Sequence, residues 1–352
     1  MTIPGGILRI IDANLNRMGE GLRVLEELAR LSLNDAGLTQ QLKNMRHELL
    51  KVNPALQQQL LQARDSRGDV GADMEVPGEE KERDTAMTIT ANARRVQESL
   101  RVMEEIARAP GLNLDTDKYR QTRFSLYDLE KALLSRMFRQ DKIKHLAGLY
   151  VIIDTAALKG RNHIEAVTQA ISGGAKVIQL RDKVHSKKEL LSIAGEMRKL
   201  CAAQNALFII NDYLDIVLAV DADGLHVGPD DLPIETARRL LPIDKILGGS
   251  ARTVENANAA SVQGADYIGV GAMYPTTSKD ESEVVGPERL REIRKAVDIP
   301  IVAIGGINKD NIREVLAAGA DSVAVIDAVF GAEDIEAATR QLVNIIEGED
   351  LE

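Results

Sequence analysis

At 352 residues the chain has room for two domains, or for one large α/β domain with an addition. A 44% hydrophobic and 28% charged content is that of a globular protein, whereas 3% aromatics, no Trp and a net charge of −10 exclude base-stacking platforms and a general affinity for nucleic-acid phosphates. No stretch approaches the ~18 apolar residues of a membrane span, and the N-terminus lacks a basic start before an apolar core, so a cytoplasmic protein without a membrane partner is expected.

The first part of the chain is helical in pattern. Ile11, Leu15, Met18, Leu22, Leu25 and Leu28 step by three or four, as one buried helix stripe does. The same stripe returns 78 residues later as Ile89, Ala93, Val96, Leu100, Met103 and Ile106, within the repeated strings LRVLEELAR (22–30) and LRVMEEIAR (100–108). QQLKNMRHELLKV follows the first copy and DKYRQTRFSLYDLEKALLSRMF the second, so residues 1–140 are expected to form an all-helical domain built from a duplicated hairpin, about 9–60 and 87–138. Glu26–Arg30 and Glu104–Arg108 are expected as favourable i,i+4 helix pairs. Core packing does not explain why Asn14/Asn92, Arg17/Arg95, Arg23/Arg101 and Glu27/Glu105 are also identical. Duplication is one cause, a pseudo-symmetric dimer or partner surface another, and a homo-oligomer organised by this module is left open. The Gly- and charge-rich stretch 64–84 reads as a loop whose Arg64, Asp65, Arg67 and Asp69 belong to a salt-bridged solvent loop in preference to a ligand site, and RQDKIKH (139–145) reads as the interdomain linker.

From residue 141 to 352 the rhythm changes to strand then helix. GLYVIIDT, AKVIQLRD, LFIIND, DGLHVG, KILGGS, DYIGVGA, IPIVAIGG and DSVAVID are eight β-branched runs separated mostly by amphipathic stretches, which fits a (β/α)₈ TIM barrel better than an open sheet. Cys201, the only cysteine, falls at a helix end as a buried structural thiol, and an intramolecular disulfide is excluded.

In a barrel the chemistry sits where strands end. Strand two ends in Gln179, Arg181 and Lys183, which alternation puts on one side. Strand three ends in Asn211-Asp212, and the loop after strand four carries His226 and Asp230-Asp231. Singly, each Asp reads as a helix cap or turn residue; two carboxylates from neighbouring loops suit a hard cation such as Mg²⁺. After strand six, Thr276, Thr277, Ser278 and Lys279 can surround a phosphate. Strand seven ends in Gly305-Gly306 and strand eight in Ile326-Asp327, each before a helix, where backbone N–H groups can meet a phosphate.

The ordered set QLRDK, IIND, ADGLHVGPDDLP, LGGSART, ADYIGVGAMYPTTSKD, VAIGGI and AVIDAVF closely resembles the thiamine-phosphate synthase (thiamine-phosphate pyrophosphorylase) family over about residues 146–346. That resemblance implies condensation of 4-amino-2-methyl-5-(diphosphooxymethyl)pyrimidine with 4-methyl-5-(2-phosphoethyl)thiazole, or its carboxylated form. The products are thiamine monophosphate and diphosphate, and the cofactor is Mg²⁺. It implies small-molecule substrates and assigns the pyrimidine diphosphate to Gln179, Arg181, Lys183, Asn211, Ser250 and Lys279, with Arg181, Lys183 and Lys279 catalytic. It assigns Mg²⁺ to Asp212 and Asp231, and the thiazole phosphate to Thr276, Thr277, Ser278, Gly306, Ile326 and Asp327. The family's second lid Thr is Ser278 here, and its strand-eight Ser is Asp327. A carboxylate repels a phosphate, so Asp327 is expected to turn away or cap the helix. His226 is expected to orient or pack. Two other readings stand beside this one: a thiazole tautomerase-like isomerase on the same barrel, and a helical interaction module with a degenerate phosphate-binding barrel.

Overall fold

The computed structural model describes residues 3–65, 68, 83–109, 112, 114–275 and 284–348. Two compact units divide between Phe138 and Arg139. The first carries α1 (Gly5–Glu27), which runs into a π-helical turn (Leu28–Ser32), then α2 (Ala36–Leu50), α3 (Pro54–Ala63), α4 (Thr85–Ile106) and α5 (Thr116–Lys144) as far as Phe138. Asp35, Asn53 and Asp84 cap α2, α3 and α4, each accepting the amide three residues on.

The two stripes form one core. Ile11, Met18, Leu22 and Leu25 are fully buried, as are Ile89, Ala93, Val96, Leu100 and Met103, each large side chain contributing about 1.5–3 kcal/mol. Leu28 and Ile106, the last member of each stripe, are only partly buried. The repeated charges also have inward roles. Glu26 accepts from Arg46 at 2.9 Å and Arg23 at 3.3 Å, and Glu104 from Arg123 at 2.6 Å and Arg101 at 3.0 Å. These replace the expected Glu26–Arg30 and Glu104–Arg108 pairs. Both glutamates face inward, and burial leaves them dependent on cross-helix arginines, while Arg108 reaches Glu105 instead. Arg23–Glu27 and Arg101–Glu105 form the matching outer pairs at 2.5 and 2.6 Å. Asn14 and Asn92, both buried, each donate to the carbonyl four residues back. Arg64 is salt-bridged, as expected, and its partner is Asp12 of α1, which the guanidinium grips with two bonds at 2.7 and 2.8 Å. Arg67 and Asp69 lie outside the described residues.

In the second unit, strands and helices alternate as β1 (Gly148–Asp154), α6 (His163–Ser172), β2 (Val177–Arg181), α7 (Lys187–Ala203), β3 (Leu207–Asn211), α8 (Leu214–Val220), β4 (Gly224–Val227) and α9 (Ile234–Leu240). There follow β5 (Ile246–Ala251), α10 (Val254–Val262), β6 (Tyr267–Gly271), α11 (Gly286–Ala296), β7 (Ile301–Ile304), α12 (Ile312–Ala317), β8 (Ser322–Val325), α13 (Asp327–Phe330) and α14 (Ile335–Glu347). Among the described residues the eight strands, all parallel, close into a TIM barrel in sequence order, β1 pairing with both β2 and β8. Alternation separates two cores. Leu149, Val151 and Ile153 point outward under the helices, while Tyr150 and Ile152 point into the barrel with Val177, Ile209, Tyr267 and Val302.

The stretch expected as a linker is helical to Lys144. Arg139 is buried, its Nε donating to Asp266 at 2.9 Å, and Arg238 donates to the other Asp266 oxygen at 3.0 Å. A run of charges reads as solvated when the partner of one of them lies 127 residues away. Cys201 is buried, and burial pushes its thiol up to about 12, as an inert structural cysteine requires. Among the described residues no helix is long and apolar enough to cross a membrane.

Candidate active site

A cavity of about 720 Å³ opens at the C-terminal ends of the strands. Gln179, Arg181, Lys183, Asn211, Asp212, His226, Asp230, Asp231, Ser250, Gly305, Gly306, Ile326 and Asp327 all line it. Thr276, Thr277, Ser278 and Lys279 lie outside the described residues.

The floor is a buried polar chain. Gln179 Nε2 donates to Tyr150 Oη at 2.7 Å, and Tyr150 Oη lies 3.2 Å from Tyr267 Oη. The Tyr267 hydroxyl is 3.2 Å from His226 Nδ1, and His226 Nε2 is 3.1 Å from Ser250 Oγ. Burial raises both phenols, so they stay neutral. The chain fixes Gln179 and Ser250 in place and gives His226 an orienting position. Gly248 makes room for it: a Cβ there would stand 2.2 Å from the Tyr267 ring and 2.5 Å from His226 Nδ1.

Above the floor the charges are arranged in pairs. Arg181 donates to Asp154, the last residue of β1, whose other oxygen accepts the Ala156 amide at 3.0 Å. Asp154 is buried and aims the guanidinium. Lys183 donates to Asp212. Asp212 has left-handed backbone (φ 65°) just beyond β3, a conformation that costs an L-residue energy and is held by its amide bonding the His226 carbonyl at 2.8 Å. Asp231 reaches the same place from the loop after β4, anchored by the Gly228 amide at 2.9 Å.

Burial and the facing Asp231 carboxylate raise Asp212 above the ordinary range; Asp231, although burial opposes it, is held below by Asp212 and by the Gly228 amide. The bond to Asp212 raises Lys183 and keeps it cationic. Two convergent carboxylates, with oxygen donors only, match the donor set of a hard divalent cation. Mg²⁺ fits this pair.

Across the barrel mouth Gly305 and Gly306 have φ of 100° and 66°. A Cβ on Gly306 would stand 2.7 Å from the Pro275 carbonyl, so glycine is required for β7 to approach the end of β6 so closely. Ile326 precedes α13, which has no side-chain cap. Asp327 is exposed, opens that helix and lines the cavity. Asp154, Tyr150 and Tyr267 were not singled out from the sequence. The signal for two of them was there, since 150, 152 and 154 alternate on the inward face of β1 and Asp154 ends that strand.

Comparison with known proteins gives two family matches: the model described as thiamine monophosphate synthase over residues 149–329, and the ThiD2 family over residues 9–132. The chain is similar to a thiamine-phosphate synthase of Thermosynechococcus vestitus, 38% identical over 335 residues, 95% of this chain and 93% of that one. It is also similar to one of Methanospirillum hungatei, 52% identical over 200 residues, 56% of this chain and 97% of that one. Among solved structures, thiamine phosphate pyrophosphorylase from Pyrococcus furiosus is 45% identical with a TM-score of 0.55, covering 59% of this chain and 98% of its own.

Proposed function

The chain belongs to the thiamine-phosphate synthase family, and from that premise we propose that its barrel condenses the aminopyrimidine diphosphate with the thiazole phosphate to yield thiamine monophosphate and diphosphate. The observation that carries this reading is the meeting of Lys183 with the Asp212–Asp231 pair beside Arg181 in one cavity.

Arg181, Lys183 and Lys279 neutralise the diphosphate, with the Gln179 and Asn211 amides and the Ser250 hydroxyl fixing its register. The bond from the pyrimidine methylene carbon to the diphosphate oxygen breaks, and the electron pair leaves with diphosphate. Fixed cations stabilise that developing charge in a partly closed site. The aminopyrimidine ring delocalises the positive charge left on the methylene until the thiazole nitrogen closes the new C–N bond. Mg²⁺, held by Asp212 and Asp231, would add Lewis-acid stabilisation of the departing phosphates. Thr276, Thr277, Ser278, the Gly306 turn and the backbone at Ile326–Asp327 hold the thiazole phosphate. The carboxylate of Asp327 favours binding there through amides alone. The scheme requires no nucleophile–base pair, and His226, committed to Tyr267 and Ser250, acts by positioning.

Incubating the purified protein with both substrates and Mg²⁺ and measuring thiamine monophosphate tests the reading. Product that requires both substrates and disappears with a chelator is the expected result. Isomerised thiazole phosphate with no coupling product would mark a tautomerase instead, and ligand binding with no turnover would mark a degenerate barrel.

A further inference from the structure

Next to Arg181 in sequence, Asp182 turns away from the cavity and is 3% exposed. Its Oδ1 accepts the amides of Val184 and His185 at 2.8 and 2.9 Å. That leaves Oδ2 facing two imidazoles and a hydroxyl. His185 Nδ1 lies 2.7 Å from it, and Thr155 Oγ1 donates to it at 2.8 Å. The same Thr155 hydroxyl is 3.1 Å from Nε2 of His163, the first residue of α6. The two rings meet edge to face with centroids 5.7 Å apart. One donor atom from each of His163, Asp182 and His185 therefore falls within 4.8 Å of the others. None of the three lines the catalytic cavity, and the condensation uses none of them.

We propose that His163, Asp182 and His185 form a second cation site, for a borderline divalent transition metal such as Zn²⁺ or Co²⁺, distinct from the Asp212–Asp231 pair. Two imidazoles and one carboxylate are the donor set such ions take, whereas Mg²⁺ takes oxygen. The site is pre-oriented: two backbone amides hold the carboxylate, and the Thr155 hydroxyl sits between the carboxylate and His163, the kind of outer support that metal ligands receive. Burial works against the Asp182 charge, but bonds from His185, Val184 and Thr155 outweigh it and hold the group down to about 2. Burial, with His185 beside it, lowers His163 and keeps that ring in the neutral form that ligates. Both imidazoles are partly exposed, so they can turn to close on an ion arriving from solvent.

The placement gives the site a consequence. Asp182 and His185 bracket Lys183, the cation that meets Asp212. An ion held by them would pin the stretch after β2 to the start of α6, fixing the backbone on both sides of Lys183.

The test uses the full chain without an affinity tag, with Asp212→Asn and Asp231→Asn combined to silence the carboxylate pair. Equilibrium dialysis against Co²⁺, with the visible d–d spectrum recorded, should give one ion per chain bound by imidazole, displaced by Zn²⁺ and untouched by excess Mg²⁺. In that background His163→Ala and His185→Gln should each weaken Co²⁺ binding on the order of tenfold or more. His185, the more exposed ligand, is the safer substitution, and circular dichroism checks that each variant is folded. No stoichiometric Co²⁺ uptake, or uptake unchanged by both histidine substitutions, would overturn the proposal. Neither result bears on thiamine monophosphate formation, which is measured separately.

Discussion

Lys183 and Asp212 reach each other from just beyond the ends of adjacent strands, and their ion pair joins the cationic side of the cavity to its carboxylate side. Removing one partner strands the other. Asp212→Asn keeps the shape but leaves Asp231 alone to hold a cation and frees Lys183 from its anchor. The expected outcome is a loss in kcat/KM on the order of 10²–10³-fold, the scale of losing a transition-state charge stabiliser. The circular dichroism spectrum should be unchanged. Steady-state formation of thiamine monophosphate measures it, and undiminished turnover would remove Asp212 from the site.

Asp154 acts on the reaction through Arg181. Its buried carboxylate holds the guanidinium, so Asp154→Asn should raise KM for the pyrimidine diphosphate by roughly tenfold and Arg181→Ala by more, with the double variant no worse than Arg181→Ala. Residues coupled through one contact lose additivity in this way. Fully additive effects in such a cycle would mean that Asp154 supports the barrel and not the arginine.

What the sequence made legible follows from periodicity. Alternation and strand-end residues located the barrel and brought Gln179, Arg181, Lys183, Asn211, Asp212 and Asp231 to one mouth, because a period of two and the geometry of parallel strands are local properties. Long-range partners left no local trace. Arg139 sits in a charged run that reads as linker, yet its carboxylate partner lies at the start of β6. The buried Glu26 and Glu104 look like surface charges until Arg46 and Arg123 arrive from other helices. Nor did the sequence connect Asp182 with the two histidines, since His163 and His185 stand on separate segments that only the pairing of β1 with β2 brings together.

Gly306 offers a test of the opposite wall. With φ at 66° and the Pro275 carbonyl 2.7 Å from any added Cβ, Gly306→Ala must move the end of the segment that follows β6. The expected cost in stability is upwards of about 1 kcal/mol, from the backbone conformation alone. The kinetic effect should be lopsided, with KM for the thiazole phosphate rising on the order of tenfold while KM for the pyrimidine diphosphate changes little. Equal effects on both substrates would place the thiazole phosphate elsewhere.

The helical unit should weaken in acid through its repeated glutamates. Glu104 has a 1% exposed side chain, and the bond from Arg123 holds it below the ordinary carboxylate range; burial opposes this but Arg101 adds to it. In the unfolded chain the same group titrates at about 4.3. Between those two values the unfolded chain binds more protons than the native one, so falling pH favours unfolding. The stabilisation is complete above the unfolded value and is lost as pH falls through the native one. Hydrogen exchange of the α4 amides, which lie wholly within this unit, should therefore accelerate as pH drops below about 4, after correction for the intrinsic rate. Glu104→Gln should raise exchange at neutral pH and flatten the acid dependence, since no proton remains to be taken up. An acid limb of unchanged steepness in that variant would assign the sensitivity to another carboxylate.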